Sequence, residues 1–599
     1  MVRLALGHPP WLEGKKCVAD FAHRPYGGKM PARFFHVVII LVVAGVRALA
    51  EPDTHAAYGA SLHATGERGI VATSHPLATQ AGIAAMEQGG NAVDAAIAAG
   101  FMLAVVDNFN SGIGGGCFIL IRKPDGTLVA IDGRETAPAA TTRDMFIRDG
   151  NAVPELSRTG ALAVGVPGAV AAYAKAVSEH GKLSLADAIA PAATVADEGF
   201  LVHRTYASRI ASVGDDLKQF PGSRAIFFNE DGNPVGVGEM LHQKDLAGTL
   251  LEIATNGTDA FYRGEFAEKV ASWMAANGGL LTKHDFADYK AKEREPVMTT
   301  YRGNTVAGFP PPSSGGVHVA QILNILENFD LAAMNPTDRT HVIAEAMKLA
   351  FADRAHWLGD ADFAPVPRGL IDKGYAKDLS RRIFLNIASE VPSHGLPPNA
   401  DGDLFNRKHT THFCAADADG TWVAITATVN TTFGSKVVVP GTGVVLNNEM
   451  DDFSAQPGAP NAFGLIGAEA NSVAPGKRPL SSMSPTIVMN AGGKPIFSIG
   501  AAGGPTIISQ AVLGIINRID LDLPLKQCLS SPRFHHQWRP DALQIESSLA
   551  PEIQAELKRR GHVLRSAGDI GVTQTISRDP NGGFEGMAEP RGIGSAGGR

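Results

Sequence analysis

The chain has 599 residues, 44% of them hydrophobic and 19% charged, with a formal net charge of −7. That is ample apolar material for a large core and excludes a chain disordered as a whole. The first fifty residues carry seven Lys or Arg against Glu13 and Asp20, so the rest carries −12, and such an acidic body excludes nucleic acid, whose phosphates need basic partners.

From Met30 a basic start leads into the apolar stretch Val37–Val46 and then Ala48-Leu49-Ala50, the pattern of a secretory leader cut after Ala50. The stretch is too short to span a bilayer, so the expectation is an exported product, periplasmic or extracellular, without a stable membrane anchor. The start is either Met1 or Met30. Residues 77–107 are alanine-rich with helical spacing broken at Gly89-Gly90, which predicts two small-faced helices in the core. Gly112-Ile113-Gly114-Gly115-Gly116 lacks the spacing of a dinucleotide fingerprint, and that class is set aside.

Cys117–Arg122 and Thr127–Ile131 flank Pro124-Asp125-Gly126, which predicts a hairpin. Residues 160–290 read as mainly helical, whereas 380–409, with Pro392, Pro397 and Pro398, reads as an exposed linker. Cys17 falls in the leader. Cys117, Cys414 and Cys528 show no Cys-x-x-Cys spacing, so they are expected as buried free thiols, with no metal, disulfide framework or cofactor. His535-His536 are strand neighbours pointing to opposite faces, which favours structural use.

Thr410 to Asn430 reads as two strands around Asp419-Gly420. A three-residue loop with Gly420 in the left-handed position pairs Asp417 with Thr421, and paired residue numbers then sum to 838. Thr410 faces Thr428 in that register. Two opposed hydroxyls are either ordinary cross-strand threonines or part of a catalytic pair.

At Thr410 the chain resembles the gamma-glutamyltransferases (gamma-glutamyl transpeptidases, glutathione hydrolases) of the N-terminal-nucleophile hydrolases. The resemblance rests on Asp132-Gly133-Arg134-Glu135-Thr136-Ala137-Pro138, Thr410-Thr411-His412 through Asn430-Thr431-Thr432-Phe433-Gly434, and Asn447-Asn448-Glu449-Met450-Asp451-Asp452-Phe453. It continues in Arg478-Pro479-Leu480-Ser481-Ser482-Met483-Ser484-Pro485-Thr486 and Gly503-Gly504. It implies an α+β fold, a four-layer αββα sandwich. It also implies a precursor that cuts itself before Thr410, giving a leader (1–50), a large subunit (51–409) and a small catalytic subunit (410–599) that stay associated. The substrates implied are glutathione and other gamma-glutamyl compounds, with amino acids, dipeptides or water as acceptors.

By the same resemblance Thr410 is the nucleophile, oriented by Thr428, and Gly503 and Gly504 form the oxyanion hole. Arg134, Ser481 and Ser482 take the substrate's α-carboxylate, while Asn430, Glu449 and Asp452 take its α-ammonium. Pro457–Lys477 resembles a lid loop, with Phe463 as an aromatic gate. Cys414 and Thr421 depart from the family's usual Ser or Thr and Ser or Asn. Two alternatives stand beside this reading: a glutaryl-cephalosporin-type acylase of the same fold, and an inactive exported homologue. A glutaryl group has no amine and would leave the buried carboxylates unpaired.

Overall fold

The computed structural model describes residues 61–400, 402–405, 414–579 and 581–599. The expected leader, the expected nucleophile Thr410 and the expected cut before it lie outside the described residues.

The expected pair of small-faced helices forms as Pro76–Glu87 and Ala92–Val106. Pro76 presets the first turn of one, and an Asn91/Asp94 capping box starts the other. Between them Gly89 turns the chain at φ 95°. Every residue of Ala92–Val106 is buried, because alanines and Gly100 let neighbouring backbones approach on all sides. The 117–131 hairpin forms as Gly116–Arg122 and Leu128–Gly133.

Among the described residues, two seven-stranded antiparallel sheets carry the architecture. One runs His63–Gly66, Phe584–Met587, Val572–Arg578, Pro495–Ala502, Thr486–Met489, Asn304–Gly308, Val297–Tyr301. The other runs Ser595–Gly598, Gly69–Thr73, Cys414–Asp417, Trp422–Thr428, Gly116–Arg122, Leu128–Gly133, Lys292–Arg294. Alternate residues of both sheets, among them Ile70, Phe118, Leu120, Trp422, Ile487 and Ile576, meet in a core between them. Phe118 stacks there on Phe309 with ring centroids 4.8 Å apart. The helices at 76–106 and 169–276 cover the outer face of the second sheet, and those at 315–357 and 506–530 cover the first. The result is the expected αββα sandwich.

Residues before and after position 410 interleave in both sheets, so neither part owns a sheet. The stretch 160–290 is mainly helical, as expected, and 381–400 is irregular and largely exposed. Cys117, Cys414 and Cys528 are buried free thiols. His535 bonds Ser509 Oγ at 2.6 Å, while His536 turns away to Asp541 at 3.2 Å. Among the described residues no helix is long and apolar enough to cross a membrane.

Candidate active site

The strand Cys414–Asp417 pairs with Trp422–Thr428 in the predicted register: Cys414 with Ala424, Ala415 with Val423, Ala416 with Trp422. Gly420 closes the loop at φ 99°, and Asp417 N donates to Thr421 O at 3.1 Å. The other edge of Trp422–Thr428 pairs with Gly116–Arg122 and ends on the rung Thr428–Gly116. Thr428 Oγ1 accepts from Asn430 N at 2.7 Å, which leaves the hydroxyl hydrogen to donate elsewhere.

Thr428 lies in the wall of a cavity of about 280 Å³. The same wall holds Arg134, Asn430, Glu449 and Asp452, and Ser481, Ser482, Gly503 and Gly504 complete it. All nine described residues expected at the site therefore converge, from segments more than 300 residues apart in sequence.

Arg134 is fully buried at the end of Leu128–Gly133. Its N–H donates to Asp132 Oδ1 at 2.7 Å, and Asp132 is held by Arg294 and Arg478. The sequence reading gave Arg134 to the carboxylate of a substrate and Glu449 and Asp452 to its ammonium, and in the structure these three side chains contact one another. Here the guanidinium is bonded directly to Glu449, donates to Asp452 Oδ2 at 2.6 Å and to Pro479 O at 3.0 Å, and stands 3.7 Å from Glu135. One guanidinium thus faces three buried acids.

Burial pushes the carboxyl groups of Glu135, Glu449 and Asp452 up, with Arg134 opposing the rise; Glu135 reaches about 7. Both Glu135 oxygens and Glu449 Oε2 lack a hydrogen-bond partner. Of these acids Glu449 and Asp452 line the cavity, and Glu449 Oε2 is a spare acceptor there to which an ammonium group can donate. Asn430, at φ 77°, turns the same way: its Nδ2 donates to Asn448 O at 2.9 Å, leaving Oδ1 as an acceptor.

The cavity wall also offers donors. Ser481 Oγ accepts from Met483 N at 3.2 Å and Ser482 Oγ accepts from Arg354 at 3.0 Å, so both hydroxyl hydrogens are available to the cavity. Gly503 and Gly504 have φ values of 131° and 60° and lead directly into the helix Thr506–Ile519. Their N–H groups donate to no acceptor among the described residues, and the positive end of the helix dipole lies beside them. A Cβ on Gly504 would stand 2.6 Å from the ring of Phe463, which also lines the cavity. The segment carrying that ring is tied down by Ala462 N to Asp451 at 2.8 Å and by Gln537 to Phe463 O at 3.2 Å.

Residues 78–598 match the family model for Gamma-glutamyltranspeptidase. The chain belongs to the gamma-glutamyltranspeptidase family. It is 44% identical over 535 residues to the glutathione hydrolase proenzyme of Escherichia coli (strain K12), covering 88% of this chain and 91% of that one. It is 38% identical over 537 residues to the acylase ACY 1 proenzyme of Pseudomonas sp. (strain V22), covering 88% and 92%. Its structure overlays that of the cephalosporin acylase from Bacillus halodurans with a TM-score of 0.80 at 31% identity, covering 90% and 97%.

Two features of this gamma-glutamyltranspeptidase-family site were not assigned from sequence. Glu135 stood in a quoted motif without a role, although its place next to Arg134 was a usable signal. Arg354 had no local signal, since it stands in the long helix Pro336–Trp357, outside every motif read from the sequence.

Proposed function

We propose that this chain is a gamma-glutamyl acyltransferase and hydrolase, made as a precursor and activated by cutting itself before Thr410. The observation that carries the reading is the pairing of groups in one cavity: the Glu449 and Asp452 carboxylates and Asn430 Oδ1 as acceptors, together with the two serine hydroxyls as donors. An α-amino acid end group has the complementary pair, an ammonium and a carboxylate.

The observed pairing of Cys414 with Ala424 has the register from which the sequence reading paired Thr410 with Thr428, and this supports Thr410 as the reacting group. A threonine hydroxyl is weakly nucleophilic alone, but cutting before Thr410 frees an α-amine with a pKa of about 7.7–8.0, a suitable base at neutral pH. The amine takes the hydroxyl proton as Oγ1 attacks the γ-carbonyl carbon. The free N–H groups of Gly503 and Gly504 receive the oxyanion. Collapse expels the amine of the substrate with the transferred proton and leaves a gamma-glutamyl ester on Thr410, which an amino acid, a dipeptide or water resolves.

The interleaved sheets support continued association of 51–409 with 410–599 after the cut. The leader-like text at residues 30–50 supports export.

A second reading is a glutaryl-type acylase, favoured by the likeness to acylases in both sequence and fold. The Glu449 and Asp452 carboxylates in the cavity wall weigh against it, because a glutaryl group brings no ammonium to them. The deciding experiment compares wild type with Thr410→Ala by denaturing gel and intact mass, then assays gamma-glutamyl and glutaryl anilides. The expected result is a wild type of two chains, the smaller beginning at Thr410, that prefers the gamma-glutamyl anilide, and an uncut, inactive variant. A folded wild type that remains one chain overturns the mechanism. A preference for glutaryl overturns the substrate.

A further inference from the structure

Arg354 occupies the last turn of the helix Pro336–Trp357, is 4% exposed, and does not reach the cavity wall itself. Its Nε donates to Ser314 Oγ at 2.9 Å and its Nη2 to Ser482 Oγ at 3.0 Å. Ser314 in turn donates from Oγ to Ser481 O at 2.7 Å and from N to the same oxygen at 2.8 Å. One guanidinium therefore grips both members of the serine pair, Ser482 directly and Ser481 through Ser314.

Its surroundings differ from those of Arg134. Among the described residues no carboxylate comes within the 4.0 Å of an ion pair, and Asp452 is the acid whose charge reaches it. A buried cation held by neutral hydroxyls is costly, because little replaces the water it has lost. Burial lowers its pKa to about 10, so it still carries its charge at neutral pH. Arg134 faces three acids, whereas Arg354 bonds only neutral hydroxyls and lies directly behind a hydroxyl of the cavity.

We propose that Arg354 is the positioning residue of the carboxylate subsite: it occupies the acceptor side of Ser482, turns that hydroxyl toward the cavity as a donor, and supplies the positive charge that a bound α-carboxylate meets. A neutral backbone donor to Ser482 would orient it as well but would add no charge. The inference rests on the gamma-glutamyl reading for its substrate, not for its logic, since a glutaryl group also ends in a carboxylate.

Three anilides separate the possibilities. The gamma-glutamyl anilide carries both end groups, the glutaryl anilide lacks the ammonium, and the 4-aminobutanoyl anilide lacks the carboxylate. Arg354→Gln is expected to lower kcat/KM on the first two by about 10- to 100-fold, mainly through KM, the size of effect of a lost charge-assisted contact. The 4-aminobutanoyl anilide is expected to change by less than about twofold on that scale. Arg354→Lys should recover part of the loss, and adding Ser482→Ala to Arg354→Gln should cost little more, because both act on one contact.

Appearance of two chains in each variant reports that it folded and cut itself, and if Arg354→Gln stays uncut the same comparison is made with Arg354→Lys. Equal losses on all three anilides would make Arg354 a packing residue and overturn the proposal, as would undiminished kcat/KM on the gamma-glutamyl anilide. A wild type that prefers glutaryl would overturn the proposed function alone, and the contrast between glutaryl and 4-aminobutanoyl would still decide the role of Arg354.

Discussion

Asp452 and Gly504 both line the cavity and should fail in different ways. Asp452→Asn removes one of the three acids around Arg134, so kcat/KM for a gamma-glutamyl anilide should fall about 10-fold or more while that for a glutaryl anilide falls less, measured as the ratio of the two. An unchanged ratio would show that Asp452 does not meet an ammonium. Gly504→Ala puts a Cβ at φ 60° and 2.6 Å from the Phe463 ring, which displaces either the ring or the N–H. The expected loss is about 100-fold in kcat with a smaller change in KM, the signature of a lost oxyanion donor. A loss confined to KM would assign the pair to binding.

The helix Ala92–Val106 and its neighbour Pro76–Glu87 pack through small residues. A Cβ on Gly82 would stand 2.9 Å from Ala95 O and 3.0 Å from Val71 Cγ1, between the helix pair and the strand beneath. Gly82→Val should therefore destabilise by about 1–3 kcal/mol through overpacking, read as a fall in Tm and in the yield of cleaved protein. An unchanged Tm would mean the layers can part without cost. This packing was legible in the alanine-rich text because helix periodicity and residue size are local properties. The 838 register was legible for the same reason: a three-residue loop with Gly420 permits one pairing.

Across the whole molecule, neutral imidazoles are built into the helical layer over the first sheet. Burial drives His318, His535 and His562 down to about 3, and each ring bonds a neutral partner: Gln321, Ser509 and His341. An unfolded histidine titrates near 6.5, so between about 6.5 and 3 the unfolded chain binds more protons than the folded one. These groups contribute stability that is complete above about 6.5 and is lost as pH falls toward 3. Denaturant melts of the intact protein should show stability dropping over that window. His535→Gln should flatten the drop by one proton's worth of slope, and an identical slope would remove His535 from the account.

The sequence by itself determined the helix pair within 77–107, the helical character of 160–290, two hairpins, the register beside Thr428 and the set of residues that converge on the cavity, because turn chemistry, side-chain period and family motifs act over short stretches of chain. Only the tertiary structure decided how charge is shared within that set. Arg134 is bound to Glu449 across 315 residues of sequence, and Arg354, which no motif marked, stands behind Ser482. The strength of a buried charge's interactions depends on separation and lost hydration, and neither quantity exists until distant segments are packed together.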